Sequence, residues 1–72
     1  MPTNEEIKAI AKAIEELHDN QASADAEHAK DFAVARKDQS KVPDYIRKTN
    51  EYTKGTNDRL KSYEDLLTAL DK

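Results

Sequence analysis

Apolar residues recur at three- and four-residue steps at the start of the chain, so Ile7, Ile10, Ile14 and Leu17 share one helical face while Lys8, Lys12, Glu15, Glu16 and Asp19 stay outside it. This is the pattern of an amphipathic helix. Thr3-Asn4-Glu5-Glu6 supplies its start: a threonine cap with a glutamate three residues later satisfies orphan amides, and the acids sit at the positive end of the helix dipole.

Beyond Leu17 two stripes compete for the inward position. The same register carries Gln21, Asp25 and His28 inward, whereas a neighbouring stripe offers Ala22, Ala26, Ala29 and Ala33, with Phe32 between the two. Drifting from one to the other is a four-residue stutter, which straightens a supercoil locally without ending the helix. Asp19-Asn20 is the alternative, a break into two helices; the expectation is continuity.

The pause in the pattern runs from Asp38 to Pro43. Proline lacks an amide donor and disfavours helical geometry at Val42, so it suits the first turn of a new helix, with Asp44 near the positive end. From there a heptad places Ile46, Thr53, Leu60 and Leu67 at one core position and Thr49, Thr56, Tyr63 and Leu70 at the other, preceded in phase by Val42. Gly55 weakens this helix by roughly 1 kcal/mol relative to alanine. The phase survives across it, so a continuous helix is expected, with a kink at Gly55-Thr56-Asn57 as the alternative.

The expected fold is all-α: one domain over 1–72, with helices at about 4–37 and 44–71 joined by a turn at about 38–43. Two such helices fold back antiparallel into a hairpin roughly 40 to 50 Å long at 1.5 Å per residue. Its expected seam is Ile7, Ile10, Ile14, Leu17, Phe32, Ile46, Leu60, Tyr63, Leu67 and Leu70. Ile, Leu, Val and Phe make up only 12 of 72 residues. So sparse a core in so short a chain favours help from a second copy, as a dimeric four-helix bundle or coiled-coil assembly.

The middle of this hairpin is unusual, because Gln21, Asp25 and His28, or their alanine neighbours, meet Thr53, Thr56 and Leu60. In the plainest reading Gln21 and Asp25 face solvent and alanines face the threonines. The alternatives are a polar layer that fixes register, since buried polar groups need partners, and a ligand pocket.

Composition removes several kinds of chemistry. The absence of cysteine excludes disulfides, thiol catalysis and cysteine-ligated zinc, and fits a cytoplasmic setting. No apolar run approaches the roughly 18 residues of a membrane span, and no secretory signal is visible. Glu15 with His18, and Asp25 with His28, repeat a metal-site spacing, but the pairs lie ten residues apart on one helix and point along different faces. The second heptad adds no inward acid, so no metal is expected and Asp25–His28 reads as an ordinary intrahelical pair. No glycine-rich phosphate loop or nucleophile elbow is present, and Ser23, Ser40 and Ser62 lack a relay. No enzyme activity and no cofactor are expected.

Charge divides between the halves: residues 1–38 hold nine acids and five bases, whereas 39–72 hold six and seven, within a net charge of −3. Complementarity across the hairpin accounts for most of this. Tyr45, Tyr52, Arg59 and Leu66, seven apart, form a flank beside the expected core stripe, with Lys48 and Gly55 next to them. Tyrosine and arginine are the residue types that most often carry interface energy, which makes Tyr45, Lys48, Tyr52 and Arg59 the candidate partner-binding residues.

The expected function is non-enzymatic: a self-associating helical hairpin that contacts a larger protein as a regulator, inhibitor or assembly factor. One alternative is a structural component that orders on docking into a larger assembly. Another is an oligomeric binder of an anionic small ligand such as a nucleotide, held by Tyr45, Arg47, Lys48, Tyr52 and Arg59. Five bases amid an acidic protein argue against nucleic acid as the partner.

Overall fold

The computed structural model describes residues 2–71 as two long helices and the turn between them. Helix α1 spans Asn4–Lys37, a short 3₁₀ segment spans Gln39–Lys41, and helix α2 spans Val42–Asp71. The helices lie antiparallel in a rod of 54 × 15 × 9 Å, and no strand is present among the described residues. The fold is the all-α hairpin that the periodicity predicts.

Local chemistry explains each boundary. The Thr3 hydroxyl accepts from the Glu6 amide at 3.2 Å and the Thr3 carbonyl accepts from the Ile7 amide at 2.9 Å, so the first turn is satisfied. Glu6 departs slightly from a full capping box, because its carboxylate accepts from the Thr3 hydroxyl rather than from the Thr3 amide. Arg36 and Lys37 sit at the negative end of α1, and Asp38 stops the helix in extended geometry. Its carboxylate accepts from the Ser40 amide at 3.0 Å and the Ser40 hydroxyl at 2.7 Å, which ties the turn and holds the Asp38 carboxyl below its usual range. Pro43 then occupies the opening turn of α2, where its missing donor costs nothing.

Neither suspected break occurs. Helix α1 runs through Asp19-Asn20 and helix α2 through Gly55, where no left-handed backbone is found. Gly55 has a spatial use instead: the Arg59 guanidinium folds over it, with Nη1 3.3 Å from the position a β-carbon would take.

The seam differs from the expected one on both helices. On α1 the inward residues are Ile10, Ala13, Leu17, Gln21, Ala24, His28, Asp31 and Ala35, of which Ala35 alone is buried. Ile7, Ile14 and Phe32, expected in the seam, lie exposed at its edge, and the stripe Ala22, Ala26, Ala29 and Ala33 faces solvent. On α2 the seam is formed by Tyr45, Tyr52, Arg59 and Leu66 with Thr49, Thr56 and Tyr63. Ile46, Leu60 and Leu67, the expected seam residues, are 55, 54 and 59% exposed, and Leu70 is also exposed. Thr49, Thr56 and Tyr63 keep their expected places, and α2 is turned only far enough to exchange the 46/53/60/67 row for 45/52/59/66.

The reason lies across the seam. Gln21, Asp25 and His28 present donors and acceptors toward α2, and a row of Ile, Thr, Leu and Leu leaves most of them without partners. Tyr52 and Arg59 bond to Gln21 and Asp25, and Tyr45 and Tyr52 stack on His28. These contacts outweigh the greater hydrophobicity of the 46/53/60/67 stripe.

Candidate functional site

Turning α2 builds a polar network at the rod's middle. The Gln21 amide donates to Thr56 Oγ1 at 3.0 Å, to Asp25 Oδ1 at 3.0 Å and, more weakly, to the Tyr52 hydroxyl at 3.5 Å, while its carbonyl accepts from Arg59 Nη1 at 3.0 Å. The Tyr52 hydroxyl donates to Asp25. His28 stacks on Tyr52 with ring centroids 4.3 Å apart and a 6° interplanar angle, and on Tyr45 at 5.5 Å; Phe32 tilts against Tyr45 at 5.8 Å. His28 Nδ1 and Thr49 Oγ1 are buried in this seam without a hydrogen-bond partner.

The plainest expectation, Gln21 and Asp25 facing solvent opposite an alanine stripe, holds for the exposure of Asp25 and is corrected for Gln21, which joins a polar layer bonded across the seam. Gln21 is half-buried and bonded across the seam; Asp25 is exposed, yet its carboxylate is held from α2. Gln21–Thr56, Gln21–Arg59 and Asp25–Tyr52 together tie α1 to α2 at the rod's middle.

These bonds shift two titrations in opposite directions. Hydrogen bonds from Tyr52 and then Gln21 hold the Asp25 carboxyl below its ordinary 3.8, with the charges of Arg59 and His28 adding to them. The bond to Asp25, followed by desolvation, pushes the Tyr52 hydroxyl above its ordinary 10.0. Asp25 is depressed on folding, so its contribution is present above pH 3.8 and is lost as pH falls through the folded value. Tyr52 is raised on folding, so its contribution is present below pH 10.0 and is lost as pH rises through the folded value. Helicity followed by circular dichroism is expected to fall in both directions. Tyr52→Phe is expected to shallow both the acid and the alkaline limb; titration curves superimposable on those of the native chain would refute the Asp25–Tyr52 coupling.

The hairpin presents two unlike long faces. One carries a groove of about 360 Å³ lined by Ala24, Glu27, His28, Asp31, Lys48, Glu51, Tyr52, Gly55 and Arg59. Lys48 Nζ lies 3.5 Å from Asp31 Oδ1 at its edge. Of the candidate partner-binding residues, Lys48, Tyr52 and Arg59 thus line one groove, whereas Tyr45 sits nearer the turn in a smaller hollow with Val34, Lys41 and Asp44. Tyr45, Tyr52 and Arg59 are not a free flank, because their rings and guanidinium are engaged with α1. Arg47 does not join them; it points outward to Asp44 at 3.9 Å and Glu51 at 3.5 Å. The five-residue cluster suggested for an anionic ligand is therefore not assembled.

The opposite face carries exposed large apolar residues, interrupted on α1 by His18 and Asp25, which lie in the same heptad row as Phe32. Helical spacing sets Ile7, Ile14 and Phe32 of α1 on the same side as Ile46, Leu60 and Leu67 of α2, all six exposed. Sequence reading found these residues but assigned them to the interior.

Among the described residues no group of three or more metal-ligating side chains converges, and His18 meets only Asp19, at 3.7 Å on the exposed side. No described helix is long and apolar enough to cross a membrane. No family model, curated protein or solved structure matches the chain.

Proposed function

We propose that this chain is a non-enzymatic contact protein, a helical hairpin that self-associates through its apolar face and binds a larger protein with the surface left open, as a regulator, inhibitor or assembly factor. The observation that carries the reading is the open row Ile7, Ile14, Phe32, Ile46, Leu60 and Leu67 on a hairpin in which, among the described residues, only Ala35 is buried. A chain that buries so little by itself gains its stability from a partner surface. The groove side is the complementary half of the proposal: Lys48, Glu51, Tyr52 and Arg59 combine charge with broad aromatic area, the mix that carries interface energy. The lack of cysteine suits a reducing compartment, and the cytoplasm is the proposed setting.

Affinity capture from the native cell with the intact chain, compared with Lys48→Glu, tests the groove. The native chain is expected to retain a defined protein that Lys48→Glu retains at least tenfold less, with helicity and self-association unchanged. Equal retention by both chains removes the groove from the account.

A further inference from the structure

We infer that the apolar face is covered by a second copy of this chain laid antiparallel, with the two turns at opposite ends of a four-helix rod. The inference rests on the contact reading above and specifies the occupant and its direction.

Area comes first. The chain exposes 5772 Å², whereas a compact monomer of its mass exposes about 4,500 Å². The excess, roughly 1,200 Å² per chain, is the surface of a rod with nothing packed along it, and a second copy offers a face of the same length.

Direction follows from charge. The Gln21–Thr56 bond marks the rod's mid-length. Among the described residues, the half containing both chain ends (2–20 and 57–71) holds nine acids and four bases, and the turn half (21–56) holds six and seven, for net charges of −5 and +1. On α2 the division is sharper: 39–56 carries two acids and four bases, 57–71 four acids and two bases. A two-fold axis crossing the rod at mid-length lays α2 on α2 of the second copy and sets each +2 segment over a −2 segment. A two-fold axis along the rod brings the turns together and instead lays the acidic start of α1, five acids against two bases in 2–20, over the acidic end of α2. The opposite net charges of the two halves of α2 act along the rod and favour the first arrangement.

Register agrees with charge. Ile46, Thr53, Leu60 and Leu67 are spaced symmetrically about the mid-length of α2, so the crossing axis sets Ile46 over Leu67 of the second copy and Thr53 over its Leu60. On α1 the same axis brings Phe32 over the gap between Ile7 and Ile14 of the second copy. An isologous interface requires a row that maps onto itself in this way.

The native chain has no cysteine, so a single introduced one carries a spin label without ambiguity. Gln39→Cys marks the turn and Asn57→Cys the mid-length, both at exposed positions. Pulsed electron–electron resonance on each labelled chain, after circular dichroism shows native helicity, is expected to give a Gln39–Gln39 separation approaching the 54 Å rod length. The Asn57 labels are expected under about 30 Å apart, given helix spacings of 8–10 Å plus the label arms. A Gln39 separation under about 25 Å overturns the antiparallel arrangement and leaves the contact reading standing. Absence of coupling from both labels, with a monomeric sedimentation profile, overturns self-association itself.

Discussion

Replacing Leu60 and Leu67 together by aspartate is expected to abolish self-association and, with it, most of the helical signal. Both side chains are more than half exposed on the single hairpin, so the change costs little within one chain. In the covered state each leucine contributes about 1.5–3 kcal/mol of burial, and each aspartate adds an unpaired charge. With four leucines in a dimer, the dissociation constant is expected to rise by more than about a thousandfold. Val34→Asp is the control, because Val34 is equally exposed but lines the hollow near Tyr45, away from the apolar row. Sedimentation reads both variants. Native association by the double variant, or dissociation by Val34→Asp, would place the interface elsewhere.

The second large effect is expected from Gln21→Leu. Gln21 is the only residue that bonds to Asp25, Thr56 and Arg59 at once, so its loss strands the Arg59 guanidinium in a half-buried seam. Leaving such groups unpaired costs about 1–3 kcal/mol, more for a charged one. The thermal midpoint is expected to fall accordingly. Gln21→Leu with Arg59→Leu removes both the carbonyl and the cation it served, and is expected to recover most of the loss. If the single variant is as stable as the native chain, the layer contributes nothing to stability.

Much of this architecture was legible in the sequence because its determinants are local. Thr3 with Glu6, Asp38 with Ser40, and Pro43 each act within a few residues of themselves, so the ends of both helices follow from chemistry that a one-dimensional reading contains. Continuity through Gly55 was readable from the heptad phase. The face of α2 was not. Its two stripes, 45/52/59/66 and 46/53/60/67, share a period and are one residue apart, and hydrophobicity favours the second. The choice depends on what α1 presents at 21, 25 and 28, a contact more than twenty residues distant in sequence.

The candidate site was legible as residue types and misread as geometry for the same reason. Tyr45, Tyr52 and Arg59 were recognised as side chains suited to recognition, and what they recognise first is α1 of their own chain. Ile10 and Leu17 keep their expected inward places, whereas Ile7, Ile14, Ile46, Leu60, Leu67 and Leu70 are exposed. Ala35, buried near the turn, has no distinguishing mark among ten alanines. The structure reassigns these residues between inside and outside while leaving the hairpin as expected.

The central claim is that the hairpin's structure depends on covering its apolar face. Far-ultraviolet circular dichroism and sedimentation over one dilution series, from high micromolar to nanomolar, test it most directly. The account predicts that mass and helicity fall together as copies separate. A monomer at every concentration that keeps its full helical signal would contradict it.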